Sequence, residues 1–432
     1  MTREASPDPS PDPSPDPSPD RRLAPRPLPV HLTSAAALWL SSRTALPFWK
    51  IASPPSNETG RRWRALGEEI DACGPDQFAA ALDAEIGRRS TAFVTGLEAY
   101  RRHPYRRSPA ATPVIWEEGA SRVLDCGGEP GAPAVLVIPS LINRYYVLDL
   151  LPERSFLRFL ADRGVRPLVV DWGEPGPVEL ALDLSGYVER LDRAFTAASQ
   201  SSGKPIAVVG YCMGGLLALA LAQRRQPQVA CVALLATPWD FAAERPIPPG
   251  LLRFFDEWLS TSEAAALPVE LVQSLFFMLD PFLAQRKFVR FAALDPTGAE
   301  ARSFVALEDW INDGVPLPIG VARECYGSWY GDNMPGRGLW QVAGTKVRPQ
   351  QFRRPTLVVI PGRDRIVPPL SAEPLAAAIP NAGVMRPPLG HIGMMSAARA
   401  PDMLWSPIAG WLKAQLDGLP YGRWLDSGGG RS

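Results

Sequence analysis

The chain has 432 residues, with 45 basic and 45 acidic side chains, and it carries 48 prolines and 36 glycines. A formal charge of zero argues against a nucleic-acid binder or a polybasic membrane anchor. Five cysteines (Cys73, Cys126, Cys212, Cys231 and Cys325), odd in number and without metal-ligand spacing, fit a reducing cytoplasm better than a disulfide scaffold, and no metal site is readable.

Ten of the prolines fall in the first thirty residues, where Ser-Pro-Asp-Pro repeats from Ser6 to Asp20. Residues 1–27 therefore read as a disordered, acidic spacer rather than a secretory leader. The apolar stretch Leu32 to Ile51 is broken by Ser41, Ser42, Arg43, Pro47 and Lys50. It falls short of the ~20 consecutive apolar residues a membrane span needs, so no transmembrane segment is expected. A packed helix ending before Pro47 is favoured over a helix docking on an apolar surface. Residues 28–110 form a helical, amphipathic region, with Phe78, Leu82, Ile86, Phe93 and Leu97 recurring at intervals of four and seven. His103, among Arg101, Arg102, Arg106 and Arg107, reads as part of a solvated helix end.

From Thr112 the pattern changes to short apolar runs bounded by turn residues: Ala134–Ile138, Pro167–Asp171, Pro205–Gly210, Ala230–Ala236, Thr356–Ile360 and Gly383–Arg386. Unbroken runs suit buried parallel strands. Helical stretches at Ser155–Arg163, Leu184–Ser199, Met213–Arg224 and Ala372–Ala378 alternate with them. The expectation is a doubly wound α/β core over 111–236 and 353–418, interrupted by a mainly helical cap at 237–352 and followed by a flexible tail at 419–432. The cap is rich in aromatics, including Trp239, Phe276, Trp329, Tyr330 and Trp340. Singly these read as the cap's own core, and together as an apolar channel.

The chemistry concentrates at Val208-Val209-Gly210-Tyr211-Cys212-Met213-Gly214-Gly215, an apolar strand turning through a cysteine into a Gly-rich helix start. This is a nucleophile elbow with Cys where hydrolases usually have Ser. A thiol there gains from the helix dipole, and the Met213 backbone N–H offers half of an oxyanion hole. The bland alternative is a small buried cysteine. Against it, Asp364 follows the strand Thr356–Ile360 and His391 follows Gly383–Arg386, which is the chain order of nucleophile, acid and histidine in α/β hydrolases. Of three histidines, His391 alone lies where an elbow cysteine reaches it, and it takes the role of general base.

These residues resemble the polyhydroxyalkanoate synthases, acyltransferases that polymerise hydroxyacyl-CoA thioesters. The resemblance covers most of residues 110–418. It rests on the Cys-containing box Gly210–Gly215, on Ile138-Pro139-Ser140-Leu141-Ile142-Asn143-Arg144-Tyr145-Tyr146, on Val170-Asp171-Trp172, on Asp364-Arg365-Ile366-Val367-Pro368 and on Gly390-His391-Ile392. It implies an α/β-hydrolase fold, acyl and chain attachment at Cys212, and an oxyanion N–H from the loop after Pro139, assigned to Ser140. It gives Asp364 two roles, third member of the triad or activator of the substrate's 3-hydroxyl. Arg144 and Trp239 are the candidate substrate contacts, with a surface ion pair the competing role for Arg144. The family commonly has His where Arg365 stands.

Further implications are no cofactor beyond the CoA thioester substrate, a homodimer, a helical accessory subunit, and a cytoplasmic protein at polymer granules. A thiolate exchanging one thioester for another keeps the acyl group activated, which supports transfer over trapping. A thioesterase or polyester hydrolase on the same fold and a non-catalytic granule-associated protein are the alternatives.

Overall fold

The computed structural model describes residue 22 and residues 25–46, 57–109, 111–129, 131–244 and 249–418. The predicted N-terminal tail, apart from Arg22 and residues 25–27, and the predicted C-terminal tail lie outside them. Three helices open the chain: α1 (Leu28–Ala45), α2 (Glu58–Cys73) and α3 (Pro75–Arg102). Strands β1 (Val114–Glu118), β2 (Ser121–Asp125) and β3 (Ala134–Ile138) follow, then α4 (Phe156–Ala161), β4 (Arg166–Asp171), α5 (Leu184–Ser202), β5 (Ile206–Tyr211), α6 (Met213–Arg224) and β6 (Val229–Leu235). Next come α7 (Pro249–Thr261), α8 (Val269–Leu279), α9 (Leu283–Phe291) and α10 (Ala299–Asn312). After a π-helix at Glu324–Gly331, the chain closes with β7 (Thr356–Val359), α11 (Pro369–Ala378), β8 (Gly383–Met385) and α12 (Ser406–Leu416). Among the described residues no helix is long and apolar enough to cross a membrane.

Two compact units result, Met1–Ser108 with Phe282–Asp309, and Pro109–Pro281 with Trp310–Ser432. The larger holds an eight-stranded sheet in the order β1-β2-β4-β3-β5-β6-β7-β8. From β4 to β8 all neighbours are parallel, while β1 and β2 form an antiparallel hairpin whose second strand runs antiparallel to β4. All five residues of β3 and all six of β5 are buried, which is why these strands read as unbroken apolar runs. Helix α5 starts on Asp183, whose carboxylate accepts from the Gly186 N–H at 2.8 Å, and stops at Gly203 in the left-handed region.

The β1–β2 hairpin has no apolar run to announce it, because β1 is nowhere fully buried and its turn at Gly119 is short. It is tied down by the buried guanidinium of Arg190, which pairs with Glu179 and Glu118 and donates to Ser121 Oγ. A buried charge is tolerable there because its donors find acceptors.

The smaller unit contains α1 to α3, α9 and most of α10. Phe93, Leu97 and Tyr100 of α3 pack with Ala35, Ala284, Phe288, Phe291, Ala301 and Val305. Segment 282–309, assigned to the cap from sequence, thus shares a core with the N-terminal helices. The α3 stripe buries Phe93 and Leu97, while Phe78, Leu82 and Ile86 stay half-buried. His103 is not on a solvated end. It is buried, with Nε2 2.9 Å from Pro296 O and Nδ1 accepting the Tyr105 N–H at 3.1 Å, and burial pushes its pKa down. The flanking arginines misled the reading, because Arg106 turns onto the His103 carbonyl at 2.8 Å.

Where α3 meets α9, a Cβ on Gly96 would stand 2.0 Å from the Phe288 carbonyl oxygen. Backbone cannot move aside as a side chain does, so Gly96→Ala should destabilise the protein by about 1–3 kcal/mol. Urea unfolding followed by tryptophan fluorescence measures this; a midpoint unchanged from wild type would show that the two helices do not pack this closely.

Candidate active site

Strand β5 must turn directly into α6, and the turn falls on Cys212, whose backbone adopts φ 56° and ψ −127°. A non-glycine residue in that region carries strain and needs its surroundings to hold it. The Cys212 N–H donates to Leu235 O of the neighbouring strand at 2.8 Å, and the Gly215 N–H donates back to Cys212 O at 2.9 Å. A Cβ on Gly214 would lie 2.2 Å from Ile138 O, and one on Gly215 would lie 1.8 Å from Thr237 Oγ1. The obstacle at Gly214 is the backbone at the end of β3, and at Gly215 it is the Thr237 side chain.

The loop after β7 brings Asp364 to the sheet's carboxyl edge. Its Oδ1 accepts the N–H groups of Ile366 and Val367, each at 2.8 Å, and its Oδ2 lies 2.7 Å from His391 Nδ1. The remaining ring nitrogen of His391 serves the side-chain hydrogen bond to Cys212. Tyr211, the residue before the cysteine, stacks obliquely on the imidazole at 5.2 Å and donates its hydroxyl to His391 O at 3.2 Å. Burial alone would lower the His391 pKa; the charge of Cys212 and the bond to Asp364 outweigh it and raise the value to about 10.

Cys212 opens into a chamber of about 90 Å³. Ile142, Met213, Pro238, Phe241 and Leu317 form part of its wall, and Ile366 and Val367, the same residues that hold Asp364, form another part. Helix α8 adds Val272, Leu275, Phe276 and Leu279, and the π-helix adds Cys325, Tyr326, Trp329 and Tyr330. Burial pushes the Cys325 thiol well up, so this second cysteine stays protonated. Burial likewise raises the Tyr326 and Tyr330 hydroxyls. Among the described residues no cluster of His, Cys, Asp and Glu could hold a metal ion.

Cys212, Met213, Asp364 and His391 are brought together; Trp239 and Arg144 do not join them. Trp239 is buried beneath the site against Trp340, ring centroids 6.3 Å apart, and does not line the chamber. Arg144 is held by Glu174 at 3.1 Å and Asp313 at 3.6 Å, the ion-pair role rather than a place in the chamber wall. Ser140 follows Pro139, whose carbonyl oxygen would lie 2.5 Å from a Cβ on Gly214, so its loop abuts the elbow; its Oγ accepts the Ile142 N–H at 3.2 Å, and Ile142 belongs to the chamber wall. Cys325 and Tyr326 stand four residues before Trp329 and Tyr330, and that helical spacing is the sequence signal that places them on the same wall.

The chain belongs to the α/β-hydrolase fold family, whose model matches residues 134–398. Within that family it is similar to curated poly(3-hydroxyalkanoate) polymerase subunits PhaC. That of Haloferax mediterranei is 27% identical over 313 residues, covering 69% of this chain and 63% of the relative. That of Haloarcula marismortui is 27% identical over 299 residues, covering 66% and 61%. For Allochromatium vinosum the identity is 26% over 292 residues, covering 66% and 82%. The chain thus spans less than two thirds of the length of the two haloarchaeal relatives.

Because the charge of Cys212 is the largest influence raising the His391 pKa, Cys212→Ser should make this imidazole titrate well below the wild-type value near 10. Histidine ring resonances followed by NMR against pH report it. An imidazole titrating at the same pH in both proteins would mean that the thiol and the ring are not coupled.

Proposed function

We propose that this protein is an acyltransferase that polymerises hydroxyacyl-CoA into polyester, with Cys212 as nucleophile, His391 as general base and Asp364 as the group that orients it. The observation that carries the reading is a Cys212–His391–Asp364 relay, with the histidine and aspartate buried and the half-buried cysteine opening into an apolar chamber. The similarity to PhaC polymerases along two thirds of the chain supports it.

In the proposed cycle, His391 takes the Cys212 proton and the thiolate attacks the acyl carbonyl, forming a new C–S bond. The Met213 N–H, the first of α6, stabilises the oxyanion. Collapse breaks the bond to CoA, whose thiolate leaves with the proton held by His391. A hydroxyl of the next unit or of the growing chain then attacks the enzyme thioester. His391 accepts that hydroxyl proton and returns it to the departing Cys212 sulfur. The aromatic wall limits water, which would otherwise release free acid. For a hydroxyacyl substrate the triad position of Asp364 is favoured over hydroxyl activation, since both its oxygens are engaged and it lies outside the chamber wall. By resemblance, the working form is a homodimer at a polymer granule surface, aided by a helical partner subunit.

Purified protein given (R)-3-hydroxybutyryl-CoA should release CoA and deposit insoluble polymer; release accompanied only by free acid favours the thioesterase reading, and no release with or without Cys212 favours a binding protein. Asp364→Asn should slow the first, single-turnover CoA release about 10²–10⁴-fold. Were Asp364 instead the activator of the attacking hydroxyl, that first release would keep the wild-type rate and only chain growth would stop.

A further inference from the structure

The nucleophile and its base are carried by parts of the sheet that differ in firmness. Cys212 follows β5, a central strand buried along its whole length, whereas His391 follows β8, a three-residue edge strand of which no residue is fully buried. The loop from β8 to His391 passes through Pro387, Pro388 and Gly390. It is fastened on the side of the acid, where the Gly362 and Arg363 N–H groups donate to Pro387 O at 2.9 Å and Leu389 O at 3.0 Å. Those bonds tie it to the turn that carries Asp364. They do not set where the imidazole lies relative to the sulfur.

Tyr211 supplies that link. It is the last residue of β5, directly before Cys212, and it is 4% exposed. Its hydroxyl donates to the His391 carbonyl oxygen at 3.2 Å, and its ring lies against the imidazole with centroids 5.2 Å apart and planes inclined by 31°. One side chain thus grips the base at two points, the backbone and the ring face, while Asp364 holds Nδ1 from a third. Cys212 and Asp364 are the other titratable groups that bear on this imidazole among the described residues. Burial raises the Tyr211 phenol well above its ordinary value, so it stays a donor. An aromatic face within about 6 Å of a cation attracts it, and the ring therefore favours the imidazolium that forms when His391 takes a proton.

We infer that Tyr211 is a positioning residue for the general base, its hydroxyl fixing the backbone of His391 relative to the elbow and its ring supporting the imidazole once protonated. The role deepens the acyl-transfer reading and rests on it for the reaction that His391 serves. Tyr211 is not part of the chamber wall. Its loss should therefore weaken the coupling of His391 to Cys212 and leave the fit of the substrate unchanged.

Wild type is compared with Tyr211→Phe, which keeps the ring and removes the donor, and with Tyr211→Leu, which removes both. The His391 ring resonances, followed by NMR against pH, should titrate about half a pH unit lower in Tyr211→Phe and about one unit lower in Tyr211→Leu. With 3-hydroxybutyryl-CoA, single-turnover CoA release at saturation should slow about 3–10-fold in Tyr211→Phe, at an unchanged half-saturating concentration. Phenylalanine fills the same space, so a purely packing role leaves Tyr211→Phe like wild type. An unaltered titration and rate in that variant overturn the inference, even where Tyr211→Leu does not fold. A raised half-saturating concentration with the maximal rate kept overturns it as well. The ring titration needs no thioester, so shifted titrations in a protein that turns over no acyl-CoA leave the positioning role standing and overturn the acyl-transfer reading alone.

Discussion

The turn at Cys212 is the constraint on which the larger unit depends. A side chain held at φ 56° between a buried strand and a buried helix keeps that conformation only if its neighbours leave no room for relaxation. Here the room is removed on three sides: Leu235 of β6 takes the Cys212 N–H, the carbonyl end of β3 abuts Gly214, and Thr237 abuts Gly215. The approach of α6 to β3 and β6 is therefore set by the absence of side chains at two positions. The same approach starts α6 on the residue after the cysteine, so the strained turn and the helix N-terminus have one origin.

The parallel sheet then supplies the partners. Its loops at the carboxyl edge carry Asp364 after β7 and His391 after β8, and adjacency of those strands brings the two side chains to 2.7 Å. The histidine sits in a position whose burial opposes its charge, and it is compensated on both sides, by the Cys212 sulfur and by the Asp364 carboxylate. Asp364 is itself pinned by two backbone N–H groups. In the proposed cycle such a histidine accepts the thiol proton and the cysteine exchanges one thioester for another at nearly equal energy, where a serine would form a less activated oxygen ester.

Much of this is legible in the sequence, for identifiable reasons. Strands β3, β5 and β6 are buried on both faces and declare themselves as apolar runs; the elbow declares itself because only glycine fits where backbone meets backbone. What the sequence hides is of three kinds. The hairpin β1–β2 has no apolar run to announce it and depends on a distant arginine, Arg190, for its anchorage. The membership of 282–309 in the N-terminal unit is invisible because its aromatics, Phe288 and Phe291, look like any cap core until Phe93 and Tyr100 are seen against them. Trp239 and Arg144 were chosen by residue type, and type does not say which way a side chain faces. Trp239 stays in the core, and Arg144 is neutralised by Glu174 and Asp313.

The π-helix explains how one short segment builds so much of the chamber. With hydrogen bonds from i to i+5, residues separated by four or five positions come to the same face, and 325, 326, 329 and 330 have that spacing. The pairs 325/329 and 326/330 would share a face in an α-helix too; the wider π turn draws all four into a narrower arc. The wider turn also brings aromatic rings into mutual contact, as Tyr326 stacks at 6.2 Å with Tyr330 and Trp329 meets Trp340. These ring contacts support one another, and a wall built of interlocked rings keeps the space beside Cys212 open instead of collapsing onto it.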